Sequence, residues 1–119
     1  MCNIKETIVI EQLGKNRKSL ARCKLAFLCY NVTVTNNDPS LSNVKVSVGM
    51  SHTGSRGLET IEGNSGITLR ANETYRFKTV KLFFSEELFI ESTNKHLYIT
   101  VDVLNECPGN NVEKISRTI

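Results

Sequence analysis

An all-β fold, a single antiparallel β-sandwich, is what this sequence predicts, on three observations. Tyr30, Val32 and Val34 alternate with Asn31, Thr33 and Thr35, the period-two pattern of a half-buried strand. Val44, Val46, Val48 and Met50 alternate in the same way with Asn43, Lys45, Ser47 and Gly49, and Leu97, Ile99, Val101 and Val103 with Tyr98, Thr100 and Asp102. Turn-forming clusters such as Asn36-Asn37-Asp38-Pro39 separate such runs, and no segment holds the apolar period of a long helix.

Taken in order, Ile4 to Gln12 is rich in β-branched residues and reads as a first strand, closed off by Gly14-Lys15-Asn16. Residues 1–14 therefore stand apart as an N-terminal arm with the character of a donated strand, its assembly side chains being Ile4, Ile8, Val9 and Ile10. Residues 15–107 make the sandwich and 108–119 a polar tail. Lys15, Arg17, Lys18, Arg22 and Lys24 come with no acid among them. They read as a solvated loop with a short helical turn near Ser19, or as a contact for an anionic surface or an acidic patch on a neighbouring subunit.

Residues 23–35 form the next strand. Its first half is apolar on both faces, with Leu25, Phe27 and Cys29 on one and Ala26, Leu28 and Tyr30 on the other. That places it either under a cap or at an interface, and makes Leu25 and Phe27 the candidate interface residues. Leu58 to Ile61 reads as a short edge strand, and Ile67-Thr68-Leu69 leads into a turn at Arg70 to Glu73. From Thr74 to Phe84 the apolar parity switches between Phe77 and Val80, which predicts a bulge near Lys78 and Thr79. Glu87 to Ile90 is a further short apolar run. The count comes to seven or eight strands, of immunoglobulin-like or jelly-roll type.

A chain of 119 residues, 39% apolar and 23% charged, suits one domain with one core. A net charge of +3 is too small to argue for nucleic acid, and the absence of Trp removes the best stacking platform for bases or sugars. The first residues, Met1-Cys2-Asn3-Ile4-Lys5-Glu6-Thr7, hold no apolar signal region, and no run nears the roughly 18 residues of a membrane span. The expected location is extracellular or on a cell or spore surface without a Sec signal peptide, with the cytoplasm or a virion as the alternative.

Chemistry is hard to find. The loop from Gly49 to Gly57 holds His52, two serines, Arg56 and three glycines, but Ser51 has Gly49 before it and Thr53 after it, so it makes no nucleophile elbow. His52, His96 and the four cysteines lack the short spacings of a zinc motif. Glu86 and Glu87 are neighbours that point apart. No catalytic, cofactor or metal residues are expected, and no cofactor. Asn31-Val32-Thr33 and Asn72-Glu73-Thr74 match the glycosylation rule at a frequency an Asn- and Thr-rich chain gives by chance.

Cys2, Cys23, Cys29 and Cys107 are the candidate disulfide residues. Cys2 and Cys107, near the ends, are placed to link chains or tie down tails. Cys23 and Cys29, if in one extended strand, would stand about 20 Å apart, so they pair only if the chain turns between them. Four reduced thiols in a cytosolic protein is the other reading.

At Tyr30-Asn31-Val32-Thr33-Val34-Thr35-Asn36-Asn37, followed by Leu41-Ser42-Asn43-Val44-Lys45-Val46-Ser47, the chain resembles the immunoglobulin-like β-sandwich repeats of bacterial cell-surface proteins. Ile67 to Phe77 is similar to a later segment of those repeats, with Asn72 where they carry Gly. Together these residues place the likeness over roughly 28–104. It implies an extracellular structural role with no active site. The layout of Cys2 ahead of an apolar strand also resembles bacterial endospore appendage subunits, small sandwiches joined by donated strands and inter-subunit disulfides.

The function expected is therefore a non-enzymatic, self-assembling structural subunit of an extracellular fibre, appendage or coat, joined to itself by strand addition and inter-subunit disulfides. The alternatives are a monomeric module binding carbohydrate or protein through loops such as 49–57, and a viral decoration or tail protein.

Overall fold

In a computed structural model, the described residues are 4–14, 16–51, 59–60 and 66–104. They form two antiparallel sheets face to face, with no helix among them. In the first sheet β1 (Ile4–Ile10) pairs with β10 (Leu97–Leu104), which pairs with β3 (Phe27–Asn36). Two short strands, β7 (Thr74–Arg76) and β8 (Val80–Phe83), share the far side of β3. In the second sheet β2 (Arg17–Arg22) pairs with β9 (Glu87–Ser92), which pairs with β4 (Val44–Ser51). There β5 (Glu59–Thr60) and β6 (Ile67–Leu69) share the far side of β4.

The core lies where the sequence periodicity puts it. Tyr30, Val32 and Val34 of β3, Val44, Val46, Val48 and Met50 of β4, and Leu97, Ile99, Val101 and Val103 of β10 are all buried. Leu88 and Ile90 of β9 close the second sheet onto them. The antiparallel sandwich is as expected, but with ten strands rather than seven or eight.

Three local expectations change. Arg17 to Arg22 is a strand, not a loop with a helical turn, because Arg17, Ser19 and Arg22 stand opposite Glu91, Phe89 and Glu87 of β9. Thr74 to Phe84 is two strands rather than one bulged strand. At the break Phe77 turns into the core and its N–H still donates to the Val32 carbonyl, so both pieces stay on β3. Between Cys23 and Phe27 the chain bends, so the strand expected from residue 23 starts at Phe27.

The N-terminal boundary also shifts. Ile4 to Ile10 do not stand off as an arm but lie on the chain's own first sheet, in register with Leu104 to Ile99. A hydrogen bond from Thr7 Oγ1 to Asp102 Oδ1 of 2.8 Å sits at one of those pairs. Leu13, not residue 15, is where the buried core begins: it is buried and its N–H donates to the Lys95 carbonyl at 3.0 Å. The polar tail at 108–119 lies outside the described residues.

Ile99→Ala removes a fully buried side chain from the centre of the first sheet. It should lower the unfolding free energy by about 2–5 kcal/mol, read by urea titration. Val9→Ala, on the exposed side of β1, should stay within about 0.5 kcal/mol of the parent.

Candidate interaction surface

Two features of the outer surface depart from the polar exterior a sandwich normally shows. The first is β1, which ends the strand order of the first sheet among the described residues. Every side chain of β1 is exposed except Ile8 and Ile10, which are half-buried against the core, and Ile4 and Val9 face outward. The strand is held by its ladder to β10 and by little burial. Lys5 and Glu6 break its apolar run, and a register shift between Ile4 and Glu6 bends its start, both of which discourage casual edge pairing.

The second is an apolar patch at the start of β3. Phe27 stands directly opposite Phe83 of β8 on the outer face, and Lys81 Nζ lies 4.3 Å from the Phe27 ring centroid and 5.5 Å from that of Phe83. Phe84, next to Phe83 in the turn that follows β8, and Leu25, two residues before Phe27, are exposed as well. The four side chains are 42–66% exposed. At about 200 Å² for a fully exposed large apolar side chain they show about 400 Å² of surface, in the range of functional patches.

Cys23 builds this corner. Its N–H donates to the Glu86 carbonyl at 2.9 Å, and its carbonyl accepts from the Ser85 N–H at 2.8 Å. Its thiol, with no exposed surface, lies 3.4 Å from the carbonyls of Leu25 and Leu82. Ser85 takes a positive φ of 71° in the turn, and the Glu86 carboxylate accepts from the Phe83 N–H at 2.7 Å. The turn is fixed from both sides, so Phe84 has no route inward.

The sequence candidates distribute as follows. Leu25 and Phe27 are exposed in the patch, while Phe83 and Phe84 were missed. The signal was there: adjacent residues on a strand face opposite ways, so a Phe-Phe pair cannot both be buried in one face. Cys23 is a free thiol and joins no disulfide. Cys29 is disulfide-bonded, and Cys2, Cys107, Lys15 and His52 lie outside the described residues. The basic residues do not form one open face. Arg22 meets Glu87 at 2.7 Å, and Arg17 lies 4.0 Å from Glu91 and over the Phe89 ring. Glu87 and Glu86 diverge, one to Arg22 and Ser19, the other to the Phe83 backbone. Asn31 is buried and accepts from Thr79 Oγ1, so the first glycosylation match is structural.

A cleft of about 280 Å³ opens between β1 and β2, next to the patch. Lys5, Glu6, Arg22 and Lys24 line its rim, and Ile8, Leu28, Tyr30 and Val103 lie deeper. Burial, and then the neighbouring Cys23, push the Tyr30 phenol well above its usual range, so it stays neutral. About 30 Å away, at the other end of β3, a polar depression of about 510 Å³ is lined by Asp38, Asn94 and His96 among others. Its groups bond to one another: Asp38 accepts from the Ser40 backbone at 2.9 Å, the Ser40 hydroxyl at 2.8 Å and Asn94 Nδ2 at 2.6 Å. Those bonds, the Ser40 backbone first, hold the Asp38 carboxyl below its usual 3.8.

No group of three His, Cys, Asp or Glu side chains among the described residues is placed to hold a metal ion. No helix of the described residues is long and apolar enough to cross a membrane. Compared with family models, curated proteins and solved structures, the chain matches none.

The lowered carboxyl at Asp38 gives a signed pH dependence. Its contribution is present above the unfolded value of 3.8 and is lost as pH falls through the lower folded value. Asp38→Asn should therefore melt below the parent at neutral pH. The gap in Tm should hold down to pH 3.8 and close below it, which thermal melts across that range read directly.

Proposed function

We propose that this chain is a self-assembling structural subunit, working in an extracellular fibre, appendage or coat, in which copies join by exchange of β1. The observation that carries this reading is that β1 holds an edge of the sheet while adding no fully buried side chain to the core. A strand held by main-chain bonds and two half-buried isoleucines forms the same contacts on a second copy's β10 as on its own. The enthalpy of the ladder is then nearly the same in both states, and protein concentration decides between them.

Leu13 fixes the base of the exchange. Because it is buried and bonded to Lys95, only Glu11 and Gln12 lie between the anchored residue and the strand. So short a hinge favours reaching a neighbour over folding back. With Cys23 sealed and Cys29 bonded, a sulfur cross-link between copies falls to whichever of Cys2 and Cys107 Cys29 does not hold. The basic run from Lys15 to Lys24 contributes less to binding an anionic surface than its sequence suggests, since Arg17 and Arg22 sit beside acids of β9.

Deleting residues 1–12 should leave a folded, soluble monomer by circular dichroism and light scattering, while the full chain forms concentration-dependent oligomers. A synthetic peptide of residues 1–12 should bind the truncated protein. Oligomers of unchanged size after truncation would rule out β1 exchange, as would a full chain that stays monomeric at every concentration.

A further inference from the structure

Cys29 and Leu104 are buried on the side of their sheet that faces away from the core. Leu28 and Tyr30 of β3, and Val101 and Val103 of β10, point between the sheets, so Cys29 and Leu104 point outward. Neither belongs to the core, yet Cys29 shows no exposed surface and Leu104 only 3%. An uncovered outer face leaves its side chains open, as it does Ile4, opposite Leu104, and Phe27, two residues before Cys29. We propose that what lies over Cys29 and Leu104 is the chain's own segment after β10, strapped there by a disulfide from Cys29 to Cys107. Cys2 is then the sulfur left to meet other copies.

The chain holds four cysteines, of which Cys29 is disulfide-bonded and Cys23 is free. The partner of Cys29 is thus Cys2 or Cys107, and register separates them. Leu104 stands directly opposite Cys29, which sets their Cα atoms about 5 Å apart, already within the span of a disulfide. Asn105 and Glu106 alone separate Leu104 from Cys107, so one reversal of the chain brings the two sulfurs together.

Cys2 starts from farther off. It precedes Ile4, which pairs with Leu104 from the other side of β10 and so lies two strand spacings, about 10 Å, from Cys29. A bridge from there would fold over the start of β1 to pass Leu104, and Ile4 at that start is 55% exposed. Burial is confined to β10 and β3, where a return from β10 falls. The bond itself does not depend on exchange of β1; only the role left to Cys2 rests on that reading.

Peptide mapping tests the proposal, because trypsin places Cys2, Cys23, Cys29 and Cys107 in separate peptides, 1–5, 23–24, 25–45 and 96–114. Mass spectrometry of the full chain, alkylated and digested without reduction, should find 25–45 joined to 96–114. Cys2→Ser should keep that pair and run as a monomer on a non-reducing gel. Cys29→Ser and Cys107→Ser should each lower Tm by about 10 °C or more, while Cys2→Ser leaves it unchanged. Peptide 25–45 joined to 1–5, or joined to nothing, would overturn the proposal. So would a Tm that falls with Cys2→Ser and not with Cys107→Ser, or a ladder of Cys2→Ser on the gel, which would put the bond between copies. The chain lacking residues 1–12 should carry the same linked pair, so a failure of β1 exchange to drive assembly leaves this result standing.

Discussion

The ladder between β3 and β10 is the constraint on which the rest of the molecule depends. Register pairs run without interruption from Leu97 with Asn36 to Leu104 with Cys29. That register turns Val32, Val34, Ile99 and Val101 to one face, where the second sheet covers them. A slip of one residue would send the pair on the shifted strand to solvent. It also fixes the two outer positions of the sheet, β1 beyond β10 and the pair β7 and β8 beyond β3. The β1 edge and the aromatic corner are kept apart by this one pairing.

Strands whose burial alternates could be read directly. In β3, β4 and β10 the inward residues, apart from the buried Asn36 that ends β3, are β-branched or otherwise apolar and the outward ones mostly polar, so period two specifies both the strand and its face. β2 offered no such signal. Leu20 and Ala21 are its only apolar residues, and what makes it a strand is Glu87 and Glu91, more than sixty residues away. Cross-strand charge pairing of that kind leaves no local trace. The break at Phe77 to Thr79 showed itself as a switch of parity, which tells where a strand bends but not whether it stops.

The interface was half legible for a similar reason. Leu25 and Phe27 stood out because a segment apolar on both faces needs cover on both. Phe83 and Phe84 joined them only through the Phe27–Phe83 register, a long-range pairing. Cys23 shows the opposite error. Counted with the other sulfurs it looked like a linking residue, yet its neighbourhood is the turn at 82–86, and a small apolar side chain with a weak donor is what that spot accepts.

Sealing a lone thiol at the foot of the aromatic corner gives the protein an internal chemical reporter. With no surface exposed, Cys23 reacts with an alkylating reagent only when the turn over it lifts. The rate at which its sulfur is modified counts the openings of that corner, separately from unfolding of the whole sandwich. Anything that settles on Leu25, Phe27, Phe83 and Phe84 and holds the turn in place would slow that clock.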